Sequence, residues 1–239
     1  MSLPRFSILN SQFPMCGRYT LTVTPERLME RFRLTSADFV TTPRYNIAPT
    51  QPVAVVYDVS PRTLSAACWG LIPAWAKDPS IASRLINARA ETLTEKPAFR
   101  TLFKKRRCLV LADSFYEWRK NPDGTKTPMR VMLASGEPFA LAGLWDVWKT
   151  PAGDRLRTCT IITTAPNELV APLHNRMAAV LPKECEAAWL SHDGEDLAFL
   201  HSLLQPFPAE GMRAYAVSPR VNSVRHDDPS LIEPVPDAA

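Results

Sequence analysis

The chain has 239 residues, of which 46% are hydrophobic and 22% are charged, a balance typical of globular proteins and not of disordered or fibrous ones. It contains no run of 18 apolar residues, which excludes a membrane-spanning helix, and we expect no membrane partner. The formal net charge of +4 is modest, but it is unevenly distributed along the sequence.

The first half of the sequence alternates between strand signals and proline-punctuated loops. Residues 16–23 alternate as a strand, and Thr24 followed by Pro25 predicts the start of a helix, because threonine caps helices and proline suits their first turn. The segments that follow are a loop at 35–52, a strand pair at 53–58 and 63–69, and an irregular stretch at 70–92.

The second half of the sequence contains further strand signals and few helices. The remaining expected strands are 106–112, 114–119, 128–133, 138–145, 156–164 and 213–217, with a hairpin turn at 121–126 and helices at 183–190 and 194–204. Many strands without a βαβ rhythm predict an α+β fold. We expect a single domain whose mostly antiparallel sheet curls into a barrel-like core with short flanking helices.

Residues 84–107 form the most basic segment of the chain. They include eight lysines and arginines against two glutamates, so their surplus of six positive charges exceeds that of the whole chain. A local surplus of this kind can attract nucleic acid. A solvated helix face followed by a turn would have the same composition.

Five widely spaced cysteines form no Cys-x-x-Cys pair. We therefore expect no disulfide framework, no metal and no cofactor, which fits a cytoplasmic protein. Cys16 directly follows Met15, and removal of that methionine would leave a thiol beside a free α-amine with a pKa of about 7.7–8. Such an amine can attack an aldehyde, after which the thiol can close a thiazolidine ring. The alternative is a small buried strand residue.

Polar residues in apolar surroundings are further candidates for chemistry. Glu117 lies between Tyr116 and Trp118, where burial would suit proton transfer, although strand alternation favours a side chain that faces solvent. His174 lies in a proline-bounded loop, and a lone histidine is more often structural than catalytic. Asn87 and Arg89 could begin a capped helix or grip a nucleic-acid backbone.

Six ordered segments together resemble one protein family. They are MCGRYT, PRYNIAPTQPV, WGLIPAWAKDP, INARAET, RRCLVLADSFYEW and LHNRMAAVL, which extend with the strand after them from Met15 to about Val217. This set is similar to the SOS response-associated peptidase (SRAP) family, the abasic-site processing proteins. The resemblance implies a compact, mostly β domain with a positively charged groove that captures abasic sites in single-stranded DNA covalently.

The resemblance also implies a role for each matching residue. Cys16 matches the cysteine that captures the sugar aldehyde, Asn87 the asparagine beside the linkage, Glu117 the acid that moves protons, and His174 the histidine that assists ring opening and reversal. Arg18, Arg89 and Arg176 match arginines that hold phosphates, and Thr163 matches a polar residue near the site. Trp75 lies where aromatic side chains stack on bases, but its neighbour is Ala76, so a tryptophan pair is absent.

One feature departs from the family pattern, because fourteen residues precede Met15. With them attached, the nitrogen of Cys16 is an amide and cannot form a Schiff base. We therefore expect residues 1–14 to be an extension, either disordered or a start-site artefact, before a single domain at 15–239. A cysteine peptidase that cuts before Cys16 and a noncovalent single-strand binding module are the alternative functions. We expect the protein to be a monomer whichever of these functions it has.

Overall fold

The computed structural model describes residues 17–58, 60–191 and 196–236. The predictions for Cys16 and for an extension at 1–14 lie outside the described residues, as does the start of the helix predicted at 194–204. The helices of the described ranges are short: α1 (Pro25–Phe32), α2 (Arg100–Lys105), α3 (Glu186–Leu190) and α4 (Leu197–Ser202).

The strands of the described ranges are longest in the middle of the chain. They are β1 (Tyr19–Leu21), β2 (Ser36–Ala37), β3 (Arg44–Ile47), β4 (Pro52–Val56), β5 (Thr63–Trp69), β6 (Asn87–Arg89), β7 (Arg107–Ala112), β8 (Ser114–Lys120), β9 (Lys126–Leu133), β10 (Phe139–Lys149), β11 (Arg155–Thr164), β12 (Met177–Ala178), β13 (Val180–Leu181) and β14 (Met212–Ala216). Short 3₁₀ helices connect several of them, including one at Ala90–Thr92 directly after β6.

Five strands form a closed barrel in the order β5, β4, β7, β10 and β11. Neighbours in this order are antiparallel, and a parallel pairing of β11 with β5 closes the ring, with Cys159 opposite Trp69. Its strands contribute fully buried apolar side chains such as Val55 and Val110. The predicted α+β fold with a barrel-like, mostly antiparallel core is therefore confirmed.

A second sheet lies beside the barrel, in the order β14, β9, β8, β1 and β3. The chain passes from barrel strand β7 to β8 through Asp113 alone, so the two sheets are joined covalently at this point. Residues after β14 return across β3, where the side-chain nitrogen Nδ2 of Asn46 donates to the main-chain carbonyls of Val221, Ser223 and His226 at 2.9–3.2 Å. The C-terminal segment is thereby fixed to the strand next to β1.

Helix α1 forms where the sequence predicts it. The hydroxyl of Thr24 accepts a hydrogen bond from the amide of Arg27 at 3.4 Å, and Arg33 ends the helix with a left-handed backbone (φ 52°). The helix buries Leu28 and Phe32 against the barrel core. Capping residues and an apolar stripe are local signals, so this element was visible in the sequence.

Other short elements were not predicted. Strands β2 and β3 lie in the segment expected to be a loop, and β6 lies in the stretch expected to be irregular. Asn87 and Arg89 thus belong to a strand, and a 3₁₀ helix begins directly after Arg89 without a side-chain cap. These segments are extended because they pair with distant strands, and tertiary pairing overrides local propensity.

The cysteines of the described ranges are free thiols. Cys108 and Cys159 are fully buried, and burial raises the pKa of both thiols well above the usual range. Burial raises the pKa of Cys68 to about 11. Because the thiolate is the reactive form, these residues act as small core hydrophobes.

Candidate active site

Glu117 is buried in the second sheet, on a strand with neighbours on both sides. It lies in β8 between β1 and β9, and its relative exposure is 2%. Tyr19 lies opposite Phe115 in the antiparallel pair of β1 with β8. The same register continued by two residues places Gly17, where the described chain begins, beside Glu117. The expectation of a solvent-facing Glu117 was wrong, because both faces of β8 are covered at this point.

A second group of candidate residues meets at one end of β11. Strand β6 pairs with β11 in parallel, which places Asn87 opposite Ile161 and Arg89 opposite Thr163. On its other side, β11 pairs with β12, where Ala178 lies opposite Thr163. Residues more than 70 positions apart in the sequence therefore lie on adjacent strands.

Backbone carbonyls fix the side chain of Asn87. The carbonyl oxygens of Ile86 and Ile161 lie 3.2 and 3.3 Å from the amide and require its nitrogen to donate to both. The side-chain oxygen then serves as an acceptor on the opposite edge of the amide group. Asn87 is half-buried, so it can orient a bound ligand without a change of rotamer.

Arg176 is held rigidly beside this group. Its guanidinium donates to both carboxylate oxygens of Glu91 at 2.7 and 2.9 Å and to the carbonyl of Thr163 at 2.6 Å. The hydrogen bond from Arg176 lowers the pKa of Glu91. Glu91 was not predicted as a site residue, although it lies in the INARAET segment, two residues after Arg89. This bidentate pair sets the orientation of Arg176.

His174 is joined to Arg176 through the main chain. The amide of Arg176 donates to Nδ1 of His174 at 3.1 Å, and the carbonyl oxygen of Arg176 lies 3.3 Å from the same nitrogen. The ring is half-buried. An imidazole can donate a proton and accept it again, which is the property that an acid–base residue requires.

An aromatic pair connects the two groups of candidate residues. The rings of Tyr19 and Trp69 are 5.3 Å apart, and the indole nitrogen of Trp69 donates to the carbonyl of Ile86 at 2.8 Å. Tyr19 belongs to β1, and Ile86 directly precedes Asn87. This contact was not predicted, because no local sequence pattern shows that two core aromatic residues connect distant strands.

Arg18 and Trp75 lie in different environments. Arg18 is 9% exposed, and its guanidinium donates to the side chain of Asn46 at 3.0 Å and to the carbonyl of Val221 at 2.8 Å. Trp75 is 62% exposed on a loop, which is fixed where the amide of Ala74 donates to the carboxylate of Asp146 at 2.8 Å. The side chain of Arg18 is therefore hydrogen-bonded within the fold, whereas Trp75 presents its ring to solvent.

The hydroxyl of Thr163 is buried and, within the described ranges, has no hydrogen-bond partner. No group of three potential metal-ligating residues occurs in the ranges that the structure covers. None of the helices in those ranges is long and apolar enough to cross a membrane. Together, the candidate residues offer an amide (Asn87), a carboxyl group (Glu117), an imidazole (His174) and a guanidinium group (Arg176) for acid–base chemistry and anion binding.

Comparisons with known proteins place the chain in a family. The family model described as SOS response associated peptidase (SRAP) matches residues 15–224. Abasic site processing protein YoqW of Bacillus subtilis (strain 168) is 47% identical over 222 residues, which are 92% of this chain and 99% of that protein. Abasic site processing protein HMCES of Gallus gallus is 35% identical over 74% of this chain and 59% of that protein.

The fold has a counterpart among solved structures. A crystal structure of a protein from Bacteroides thetaiotaomicron superposes with a TM-score of 0.84 at 28% identity and covers 92% of this chain and 100% of that chain. The family match extends through both sheets, including the strands that carry Asn87, Glu117 and Thr163. The chain therefore belongs to the SRAP family.

Proposed function

We propose that this protein captures abasic sites in single-stranded DNA by forming a covalent thiazolidine crosslink through Cys16, whose α-amine must be free. Relatives that share most of the chain are named abasic site processing proteins, and we infer the same handling of abasic sites here. The protein would act in the cytoplasm, associated with DNA, as a monomer and without a cofactor.

The observation that carries the proposal is the position of Glu117. Its carboxyl group is buried beside the start of the described chain at Gly17, and a peptide bond joins Gly17 to Cys16. Glu117 would therefore be available to transfer protons at the residue next to Gly17.

The proposed reaction balances as a condensation. The neutral amine of Cys16 attacks the aldehyde carbon of the ring-opened sugar, and the resulting carbinolamine loses water to form a Schiff base. The thiol then adds to the C=N carbon, and its proton moves to nitrogen to give the thiazolidine. Glu117 would shuttle these protons, a task that suits a general acid–base residue.

The second group of residues would hold and open the sugar. Asn87 would orient the linkage through its fixed amide, and His174 would assist ring opening, adduct reversal and the lyase-like cleavage of the strand. Arg18, Arg89 and Arg176 would contact phosphates, Thr163 would line the site, and Trp75 would stack on a base. Arg176 is ion-paired with Glu91, so its positive charge is largely neutralised. Arg176 would therefore act as an oriented hydrogen-bond donor more than as an isolated cation.

The first test compares the 239-residue chain with a chain that begins at Cys16. Both are incubated with an abasic single-stranded oligonucleotide, and intact mass spectrometry verifies their N-termini. We expect a heat- and SDS-stable adduct only from the chain that begins at Cys16, because an amide nitrogen is not nucleophilic.

Each outcome of this test separates the functions considered. A stable adduct from protein verified to retain residues 1–15 would overturn the role of the α-amine. Release of residues 1–15 without DNA would support the cysteine peptidase instead. Retention of DNA that salt reverses, with no adduct from either chain, would indicate a noncovalent binding module.

The three arginines should contribute separately to DNA binding. Replacing Arg89, Arg176 or Arg18 with alanine should weaken single-strand binding and reduce the slope of log affinity against log salt by about 0.7 per phosphate contact. Arg27, which is exposed on α1, provides the matched control. Thermal denaturation of each variant separates lost binding from unfolding, which matters most for buried Arg18. An unchanged salt slope in all three variants would place the DNA elsewhere.

A further inference from the structure

A groove of about 470 Å³ lies between β5 and β11, near the start of β11. The parallel pairing that closes the barrel involves Thr158 and Cys159 of β11, and the residues before them diverge from β5. The groove is lined by residues 66–68 of β5, Trp145 and Val147 of β10, and residues 155–157 of β11. It lies about 20 Å from Thr163, since six residues of β11 separate Thr163 from Arg157 at about 3.3 Å each.

A row of two aromatic rings with an arginine at each end accompanies this groove. The guanidinium of Arg106 lies 5.2 Å from the ring centre of Trp145, and that ring lies 4.7 Å from the ring of Tyr57. The guanidinium of Arg157 lies 5.3 Å from the centre of the Tyr57 ring. Trp145 and both arginines are at least partly exposed, whereas Tyr57 is buried.

The groove has positive charge that is not fully compensated. Arg106 is paired with the carboxylate of Asp146. Arg155 and Arg157 are exposed, and within the described ranges neither forms an ion pair. Two cations therefore border a groove whose other residues include a partly exposed indole.

The basic segment at 84–107 contributes to this surface only in part. Arg107 is 4% exposed, and its guanidinium donates to the carbonyls of Phe103 and Trp189 at 2.7 and 2.6 Å. It supports the packing of α2 and α3 and is not available to a ligand. Arg106, its neighbour, instead lies on the surface of the barrel beside Trp145.

We propose that this groove binds the single strand several nucleotides away from the abasic site. Planar guanidinium and indole groups stack on bases whatever their identity, and the exposed arginines match the phosphates. At a stacked spacing of about 3.4 Å per nucleotide, the strand would need roughly six nucleotides to reach the groove from Thr163. The inference rests on the proposed function, which identifies the ligand as single-stranded DNA. It adds a second surface of the protein that contacts this strand.

The test uses oligothymidylates of about four and about sixteen nucleotides, which span the usual range of single-strand site sizes. The double variant Arg155→Glu, Arg157→Glu should bind the longer oligonucleotide about tenfold more weakly than the wild type, with a salt slope lower by about 0.7 per contact. Its affinity for the shorter one should change less than about twofold. The double variant Arg33→Glu, Lys183→Glu, which reverses two exposed cations in a separate depression beside Arg31, is the matched control.

The outcomes separate this inference from the proposed function. One contrary result is that the Arg155→Glu, Arg157→Glu variant still binds the longer oligonucleotide more tightly than the shorter one, by the same factor as the wild type. That result, or an equal loss of affinity for both oligonucleotides, would show that the groove does not bind the strand. If the wild type binds neither oligonucleotide, the proposed function itself fails. The rate of adduct formation with a saturating short abasic oligonucleotide should be the same in the double variant and the wild type, and a slower rate would contradict a role confined to the distant strand.

Discussion

Replacing Cys16 with alanine, in a chain that begins at residue 16, should abolish the heat- and SDS-stable adduct with abasic single-stranded DNA. The variant keeps the α-amine but loses the thiol, so the Schiff base can form and the thiazolidine cannot. A Schiff base is hydrolysed in water, whereas ring closure removes the C=N bond that water attacks. The loss should therefore be complete when adduct is measured by denaturing gel electrophoresis after heating.

Two controls make the result specific to this thiol. Borohydride should still trap a DNA-linked species in the Cys16→Ala variant, because the amine remains. Cys185→Ala should crosslink like the wild type, since Cys185 is the most accessible of the described cysteines and burial raises its pKa. A full yield of stable adduct from Cys16→Ala would exclude the thiazolidine.

Replacing Glu117 with glutamine should slow adduct formation by about 10²–10⁴-fold, the usual contribution of a general acid–base residue. Glutamine has nearly the same shape but cannot exchange the proton that carbinolamine formation and dehydration require. The noncovalent affinity for single-stranded DNA should stay close to that of the wild type, because a buried carboxyl group offers no positive charge to the phosphates. The measurement is a single-turnover time course of adduct formation, beside a binding titration with intact DNA.

Glu186 provides a matched control for burial. It is also 2% exposed, and it lies on helix α3, outside the sheet that carries Glu117, where it pairs with Arg31 at 2.8 Å. Glu186→Gln should lower thermal stability, because it weakens a buried ion pair, but it should leave the rate of adduct formation unchanged. Equal rates for Glu117→Gln and the wild type would remove Glu117 from the mechanism. An equal slowing in both variants would point to a general loss of structure.

Local signals in the sequence determined much of the fold. The capped start of α1 at Thr24, the apolar runs of β8 to β11 and the turn at 121–126 depend on residues close in the chain, so they could be recognised without the structure. The family motifs also marked the segments that carry Asn87, Glu117 and His174. What these motifs imply about Cys16 stays a prediction, because that residue lies outside the described ranges.

Only the tertiary structure decided how these segments meet. Strand β6 is extended because it pairs with β11, and this pairing brings Asn87 beside Ile161. The burial of Glu117 could not be read from alternation, since a neighbouring sheet or segment can cover the second face of a strand. The fixed orientation of Arg176 depends on Glu91, which lies 85 positions earlier in the chain. Contacts between distant residues form only when the chain closes into its barrel, and no local pattern encodes them.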